Sequence, residues 1–180
     1  MRPDLLLKAL DAASGVKRWH TVRTVYSQNL AEHSYEVALI VARCGGSSAA
    51  VIAALEHDLG ESETGDVPAP FKRKYQNAAL ALEQAELDAQ RRLGCTVYGL
   101  DAADAWLVKF ADVVSGLRFA TREVQMGNRA MRLPAARFRE YLGALWRTDV
   151  APDPRARAEG VYYAVCAEYD TLKESHDGSQ

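Results

Sequence analysis

Cysteine is scarce in this chain, and signals for spanning or extended structure are scarcer still. Only three cysteines occur in 180 residues: Cys44, Cys95 and Cys166. They are far apart and odd in number, which argues against a disulfide framework and for a reducing compartment. None stands in a Cys-x-x-Cys pair, so a zinc ribbon is excluded. No apolar run approaches the ~18–20 residues that cross a bilayer. The opening stretch, Met1 to Lys8, has a short apolar segment broken by charge and none of the cleavage pattern of a signal peptide. Positive charge is not in excess either. Lys+Arg 22 against Asp+Glu 24 gives a net charge of −2, which excludes a strongly basic nucleic-acid binder. There is no alternating β-branched run long enough for a sheet, no fixed-period repeat and no low-complexity linker.

What the chain does have is alanine, 30 of its 180 residues, with Gly and Pro gathered between the Ala-rich stretches. Hydrophobic residues make up 48% and charged residues 26%, which suits neither a disordered nor a membrane chain. The apolar periodicity predicts helices over 2–13, 29–43, 49–59, 75–93, 101–125, 133–146 and 152–173. Ser14-Gly15, Gly45-Gly46, Gly94 and Gly127-Asn128 are the stops, and Ser47 or Ser48 can cap the third helix. Residues 16–27 read as a loop with an extended start, 60–70 as a loop, and 174–180 as a polar, frayed tail. The expectation is an all-α fold, a helical bundle of roughly seven helices forming a single domain over 1–180.

Three polar positions do not fit the apolar faces they occupy. His33 lies on the stripe Leu30–Val37–Ile40. Alone, such an inward histidine reads as a hydrogen-bonded core residue. His57-Asp58 ends the apolar helix Val51-Ile52-Ala53-Ala54-Leu55. A carboxylate there faces the negative end of the helix dipole, a cost that a nearby cation offsets. Asp112 sits inside an apolar helix with Lys109 on its face. An intrahelical ion pair accounts for both, but it leaves the small residues Ser115 and Gly116 without a reason, unless they admit a second helix or a ligand. Two imidazoles and two carboxylates from three helices can form one nitrogen–oxygen site. Such donors suit Zn²⁺, Mn²⁺, Co²⁺ or Fe²⁺ better than Ca²⁺.

The ordered set His33 … His57-Asp58 … Asp112 resembles the HD-domain metal phosphohydrolases. The surrounding strings are closest to the small bacterial 5′-deoxynucleotidases and their phage relatives, which include dATP triphosphohydrolases. Those strings are Arg18-Trp19, Asn29 to Ser34, His57 to Glu61, Thr64 to Pro68, and Leu107-Val108-Lys109 with Ala111-Asp112. They span residues 18 to 112, and the C-terminal helices carry no matching motif. The resemblance implies His33, His57, Asp58 and Asp112 as metal ligands and Glu61 as the residue that handles the attacking water. It implies Co²⁺, Mn²⁺ or Zn²⁺ as the metal, with Mg²⁺ accompanying the phosphates. Arg18 would hold a phosphate, and Trp19 would pack on the sugar or base. Asp66 would accept from the sugar 3′-hydroxyl, Pro68 or Pro70 would wall the base, and Thr21 would face the base edge. A cytoplasmic location is expected, bacterial or, for a phage-encoded chain, in the host, with a small-molecule deoxynucleotide as partner and neither nucleic acid nor membrane. The resembled enzymes are oligomers, so a homo-oligomer is expected.

Relatives of this kind divide between two reactions on one ester. Some release phosphate from a deoxynucleoside monophosphate, and others release triphosphate from a deoxynucleoside triphosphate. A triphosphate carries about four negative charges, and several cations beside the site favour it. Lys72-Arg73-Lys74 follows directly after the 66–70 loop, and Arg18, Lys17 and Lys109 add to it, so the reading leans to the triphosphate. The alternative for Lys72-Arg73-Lys74 is a solvated helix start, where cations oppose the dipole. Lys109 and Arg18 would stabilise charge on the transferring group. Two other readings stand beside this one: a non-catalytic HD module that binds a nucleotide, and hydrolysis of a cyclic or alarmone nucleotide. The aromatic residues Phe138, Tyr141, Trp146, Tyr162, Tyr163 and Tyr169 recur near helical spacing and read as core or oligomer contacts.

Overall fold

A computed structural model describes residues 3–95, 99–148 and 152–177. The helices are α1 (Pro3–Gly15), α2 (Leu30–Arg43), α3 (Ser48–Glu56), α4 (Glu61–Thr64), α5 (Ala69–Lys74), α6 (Gln76–Leu93), α7 (Ala102–Gln125), α8 (Arg132–Trp146) and α9 (Pro152–Asp177). A 3₁₀ turn over Arg129–Met131 leads into α8. No strand is present among the described residues. One antiparallel bridge, Lys17 to Asn29, gives the 16–27 loop its extended start.

The expected all-α bundle is therefore present, with four adjustments. Gly60 to Pro70 is not plain loop, because it contains the single turn α4 and most of the first half of α5. Lys72-Arg73-Lys74 is not a helix start but the last turn of α5, where the dipole favours cations. The third helix ends at Glu56, with His57 as its C-cap, rather than at Leu59. The last helix runs on to Asp177, so 174–177 is helical, and the final three residues of the expected tail lie outside the described part. Arg2, the expected first residue of α1, lies outside it too.

α7 organises the rest. Asp101 caps its N-terminus, accepting from the Asp104 N–H at 2.8 Å. Fifteen of its 24 residues are buried, which fits a central helix covered on several sides. α2, α3, α8 and α9 all pack against it. α2 starts with a reciprocal cap: Asn29 Oδ1 accepts from the Glu32 N–H at 2.9 Å, and Glu32 Oε2 accepts from the Asn29 N–H at 3.0 Å. Leu30, His33, Val37 and Val41 then line one buried stripe, as i, i+3, i+7 and i+11 require. Ser47 caps α3 through the Ala50 N–H, and its hydroxyl donates to Asp104 of α7.

The main core joins Trp106, Leu107, Phe110, Val114 and Leu117 of α7 to Leu142, Ala158 and Val165 of α8 and α9. Trp106 stacks on Phe110 at 5.2 Å, and Trp146 stacks on Tyr162 at 4.1 Å. Of the C-terminal aromatics, Phe138, Trp146, Tyr162 and Tyr169 pack on this core, whereas Tyr141 and Tyr163 are exposed. Cys44, Cys95 and Cys166 are free thiols. No helix of the described residues is long and apolar enough to cross a membrane.

Two glycines are there for space. A Cβ on Gly116 would lie 2.4 Å from the Phe138 ring, so the small residue on α7 admits a second helix, α8. A Cβ on Gly60 would lie 2.3 Å from the Glu86 carbonyl oxygen, where α4 meets the backbone of α6. Gly60→Ala is expected to destabilise the fold by about 1–3 kcal/mol, the usual range for overpacking. Gly116→Ala should cost less, because a ring yields more easily than a main chain. Urea unfolding of the two variants beside the parent chain measures both.

Candidate metal centre

The fold delivers His33 from α2, His57 and Asp58 from the end of α3, and Asp112 from α7. One oxygen, Asp58 Oδ2, lies at the focus. Arg18 Nη1 donates to it at 2.8 Å, His57 Nε2 stands 3.2 Å away and His33 Nε2 3.6 Å away. One ligand atom each from His33, His57 and Asp58 lies within 4.8 Å of the others, the spacing of a metal-binding group. Asp112 completes the cluster with Oδ1 at 3.3 Å from His33 Nε2. Its other oxygen accepts from Lys109 Nζ at 2.8 Å, so the intrahelical ion pair and the long-range contact coexist on one carboxylate.

Hydrogen bonding fixes which imidazole nitrogens face inward. His57 Nδ1 bonds the Ala54 carbonyl oxygen at 2.8 Å, and a carbonyl only accepts, so Nδ1 carries a proton. His57 Nε2 and His33 Nε2 are both buried without a hydrogen-bond partner. Bare nitrogens turned towards carboxylate oxygens leave buried polar atoms unsatisfied, which is costly unless a cation joins them. Two imidazole nitrogens and two carboxylates form the mixed set that borderline divalent ions prefer, and the residues present fit a metal.

Without a metal, protons take up part of the charge. Burial pulls the His57 imidazole down, but Asp58 and Asp112 outweigh it and raise the group to about 9. Burial, Arg18 and His57 together depress His33, so it stays neutral. Burial pushes the Asp58 and Asp112 carboxyls up, yet the opposing imidazoles, with Arg18 at Asp58 and Lys109 at Asp112, hold both below the usual range.

Glu61 begins α4, one turn beyond Asp58, and its amide bonds the Asp58 carbonyl at 2.9 Å. It is buried, and its Oε2 has no partner. Burial, with Asp58 and Asp66 nearby, raises its carboxyl to about 8. Lys72 Nζ stands 3.9 Å from Glu61 Oε1 and donates to Glu86 at 3.1 Å, which brings one cation of the Lys72-Arg73-Lys74 run to the site. Arg73 and Lys74 are exposed.

The Trp19 indole is half-buried, stacked on Phe119 at 5.1 Å and tilted on Phe138 at 5.7 Å, with Nε1 donating to Gln28. Its ring is a wedge between α7 and α8. Its backbone N–H donates to Asp66 Oδ2 at 3.2 Å, which ties the Thr64–Pro68 segment to the Arg18 loop. Thr21 is exposed in the turn closed by the Val22 N–H on the Trp19 carbonyl. Pro68 caps α5 and Pro70 lies exposed in its first turn. Among the described residues, the side chains of Thr21, Pro68 and Pro70 make no hydrogen bond or ion pair with the charged cluster.

Two further residues contribute, Gln90 with no sequence signal and Ser115 noticed only as a small residue. Gln90 of α6 donates to the Glu56 and His57 carbonyls at 3.1 and 2.6 Å, and so closes the end of α3. Ser115 of α7 bonds His33 Nδ1 at 3.0 Å. A glutamine on an amphipathic helix reads as surface, and a serine inside an apolar one reads as space.

A family described as 5′-deoxynucleotidase YfbR-like matches residues 6–100 of the chain. A 5′-deoxynucleotidase of Pasteurella multocida is 28% identical over 174 residues, covering 83% of this chain and 89% of that protein. The dATP triphosphohydrolase of Cyanophage S-2L is 32% identical over 115 residues, covering 59% of this chain and 65% of that protein. Among solved structures, the HD phosphohydrolase DatZ of Cyanophage S-2L, bound to dA and one catalytic Zn²⁺ ion, superimposes with a TM-score of 0.61 at 23% identity over 97% of this chain and 98% of that one. An HD-domain phosphohydrolase of Listeria innocua gives 0.61 at 19% identity, over 95% and 99%. At these identities the structural likeness concerns the fold.

The signs of these shifts set the stability of the metal-free chain. His57 and Glu61 both hold protons to a higher pH when folded than when unfolded. The His57 contribution is fully present below about 6.5 and is lost as pH rises through about 9. Glu61 acts in the same direction, losing stability from about 4.5 up to about 8. Melting in the presence of a chelator should therefore show Tm falling from pH 7 to 9. With Zn²⁺ or Co²⁺ added, Tm at pH 9 should recover, because a ligand imidazole must be neutral.

Proposed function

Because the chain belongs to the YfbR-like 5′-deoxynucleotidase family, we propose that it is a metal-dependent hydrolase of the 5′-phosphate ester of 2′-deoxynucleotides. The observation that carries this reading is the pair of partnerless imidazole nitrogens facing Asp58 and Asp112, with the partnerless Glu61 oxygen one turn away. His33, His57, Asp58 and Asp112 would hold the ion. When bound, a divalent metal would lower the pKa of a water and polarise a phosphoryl oxygen. Glu61 Oε2, buried without a partner, would hold the attacking water and accept its proton. Arg18 has five N–H donors and spends one on Asp58, so the others remain for a phosphate. Lys109 keeps two ammonium protons beyond the one given to Asp112, and its side chain is 48% exposed. Asp66, which accepts from the Trp19 backbone N–H, would also accept from a sugar hydroxyl.

Charge weighs on the choice of substrate. Each cation at the centre already faces a carboxylate: Arg18 with Asp58, Lys109 with Asp112, and Lys72 with Glu86 and Glu61. That balance supports a deoxynucleoside monophosphate, the lighter load of negative charge, over the triphosphate that the Lys72-Arg73-Lys74 run suggests. The triphosphate reading has in its favour the exposed cations Arg73 and Lys74 at the end of α5 and the likeness to the cyanophage dATP triphosphohydrolase.

Incubation with each deoxynucleoside mono- and triphosphate and Zn²⁺, Co²⁺ or Mn²⁺, followed by identification of the anion released, tests both. Phosphate from monophosphates is the expected product, triphosphate release would establish the second reading, and silence with every substrate and metal would defeat the proposal. His33→Ala and Asp58→Ala should lose metal and turnover together. Glu61→Ala should keep its metal and lose about 10²–10⁴-fold in kcat, the range for general acid–base groups. Metal content by mass spectrometry beside initial rates separates the two kinds of loss.

A further inference from the structure

Behind His33 lies a buried chain of hydrogen bonds with no role in the reading above. Ser115 is fully buried on α7, one turn after Asp112. Its Oγ–H donates to Glu36 Oε2 at 2.8 Å. A hydroxyl has one proton, and a carboxylate only accepts, so the proton is committed to Glu36. Towards His33 Nδ1, 3.0 Å away, Ser115 Oγ then offers only a lone pair. His33 Nδ1 must be the donor, and Nε2 is left bare where it faces Asp58 and Asp112.

Glu36 has its own anchor. It lies three residues after His33 on α2 and faces Arg122 of α7 at 3.9 Å. Arg122 in turn reaches Glu168 of α9 at 3.8 Å. The direction of the hydrogen bonds, Nδ1–H to Ser115 to Glu36, is thus imposed from the carboxylate end. Orienting partners of this kind set ring tautomer and raise ligand basicity, and their loss typically weakens metal binding by about 10–100-fold.

We propose that Ser115 and Glu36 are positioning residues that lock His33 in its Nδ1-protonated tautomer and so present Nε2 as the metal-binding nitrogen. The proposal rests on the reading of this cluster as a metal centre, and its test keeps the two apart. Isotope-edited NMR of the metal-free protein reads the His33 tautomer directly. Competition with a chromogenic chelator reads the Zn²⁺ or Co²⁺ dissociation constant.

In the parent chain His33 should appear as the Nδ1–H form. Ser115→Ala should shift it to a mixture or to Nε2–H and raise the metal Kd by about 10–100-fold. Glu36→Ala, at a half-buried position that the fold tolerates more readily, should do the same. Glu36→Gln still offers an oxygen to the Ser115 hydroxyl, so it should preserve most of the tautomer and most of the affinity. Nδ1–H retained in both alanine variants, or a Kd within twofold of the parent in both, overturns the proposal. A parent chain that binds neither metal defeats the metal reading instead, while the NMR result still decides whether Ser115 and Glu36 set the tautomer.

Discussion

Everything near the centre is arranged around one crowded juxtaposition, two imidazole Nε2 atoms without hydrogen-bond partners turned towards two carboxylates in a buried place. Without a metal, a proton on His57 offsets only part of that charge, and burying it is costly. Several devices hold these groups together. The Ala54 carbonyl and Ser115 turn the protonated faces of the two rings outward. Arg18 and Lys109 balance Asp58 and Asp112. Gln90 closes the end of α3 just where His57 departs from it. A cluster like this is poor as a stabilising core and makes sense as a place kept for a cation.

The fold supplies the rigidity that such a cluster requires. α7 is covered on several sides and carries Asp112 and Ser115 on one face, while α2 presents His33 and Glu36 to it. The loop that bears Asp58 is pinned where α4 touches the α6 backbone at Gly60. Helices α8 and α9 add no ligand. They cover the far side of α7 with aromatic contacts, and the Glu168–Arg122–Glu36 chain of charges links α9 towards the centre.

Much of this was readable in the residues, for a physical reason. Long helices with alanine bodies and glycine stops announce themselves, and His33 and Asp112 betray themselves by standing on apolar faces. Short elements do not. α4 is a single turn, and α5 hides between Pro68 and Tyr75, where punctuation outweighs periodicity. Lys72-Arg73-Lys74 would oppose the dipole at a helix start, and the three cations stand instead at the end of α5, where the dipole favours them. Ser115 and Gly116 looked alike as small residues yet do different things: one holds a ring by hydrogen bonding and the other yields room to Phe138. Trp19 packs its ring against Phe119 and Phe138, a core contact that the sequence alone does not announce.

That placement of Trp19 shapes its neighbour. Its backbone is in the left-handed region, φ +62°, a conformation that an indole-bearing residue adopts only under constraint from its surroundings. The wedged ring on one side and the Asp66 carboxylate on the other hold it there, and Arg18 is attached to that fixed peptide. The guanidinium therefore surrenders its freedom when the chain folds rather than when an anion arrives. An arginine immobilised in advance loses little further entropy on capture, and affinity for a small, heavily hydrated phosphate can rest on very few contacts.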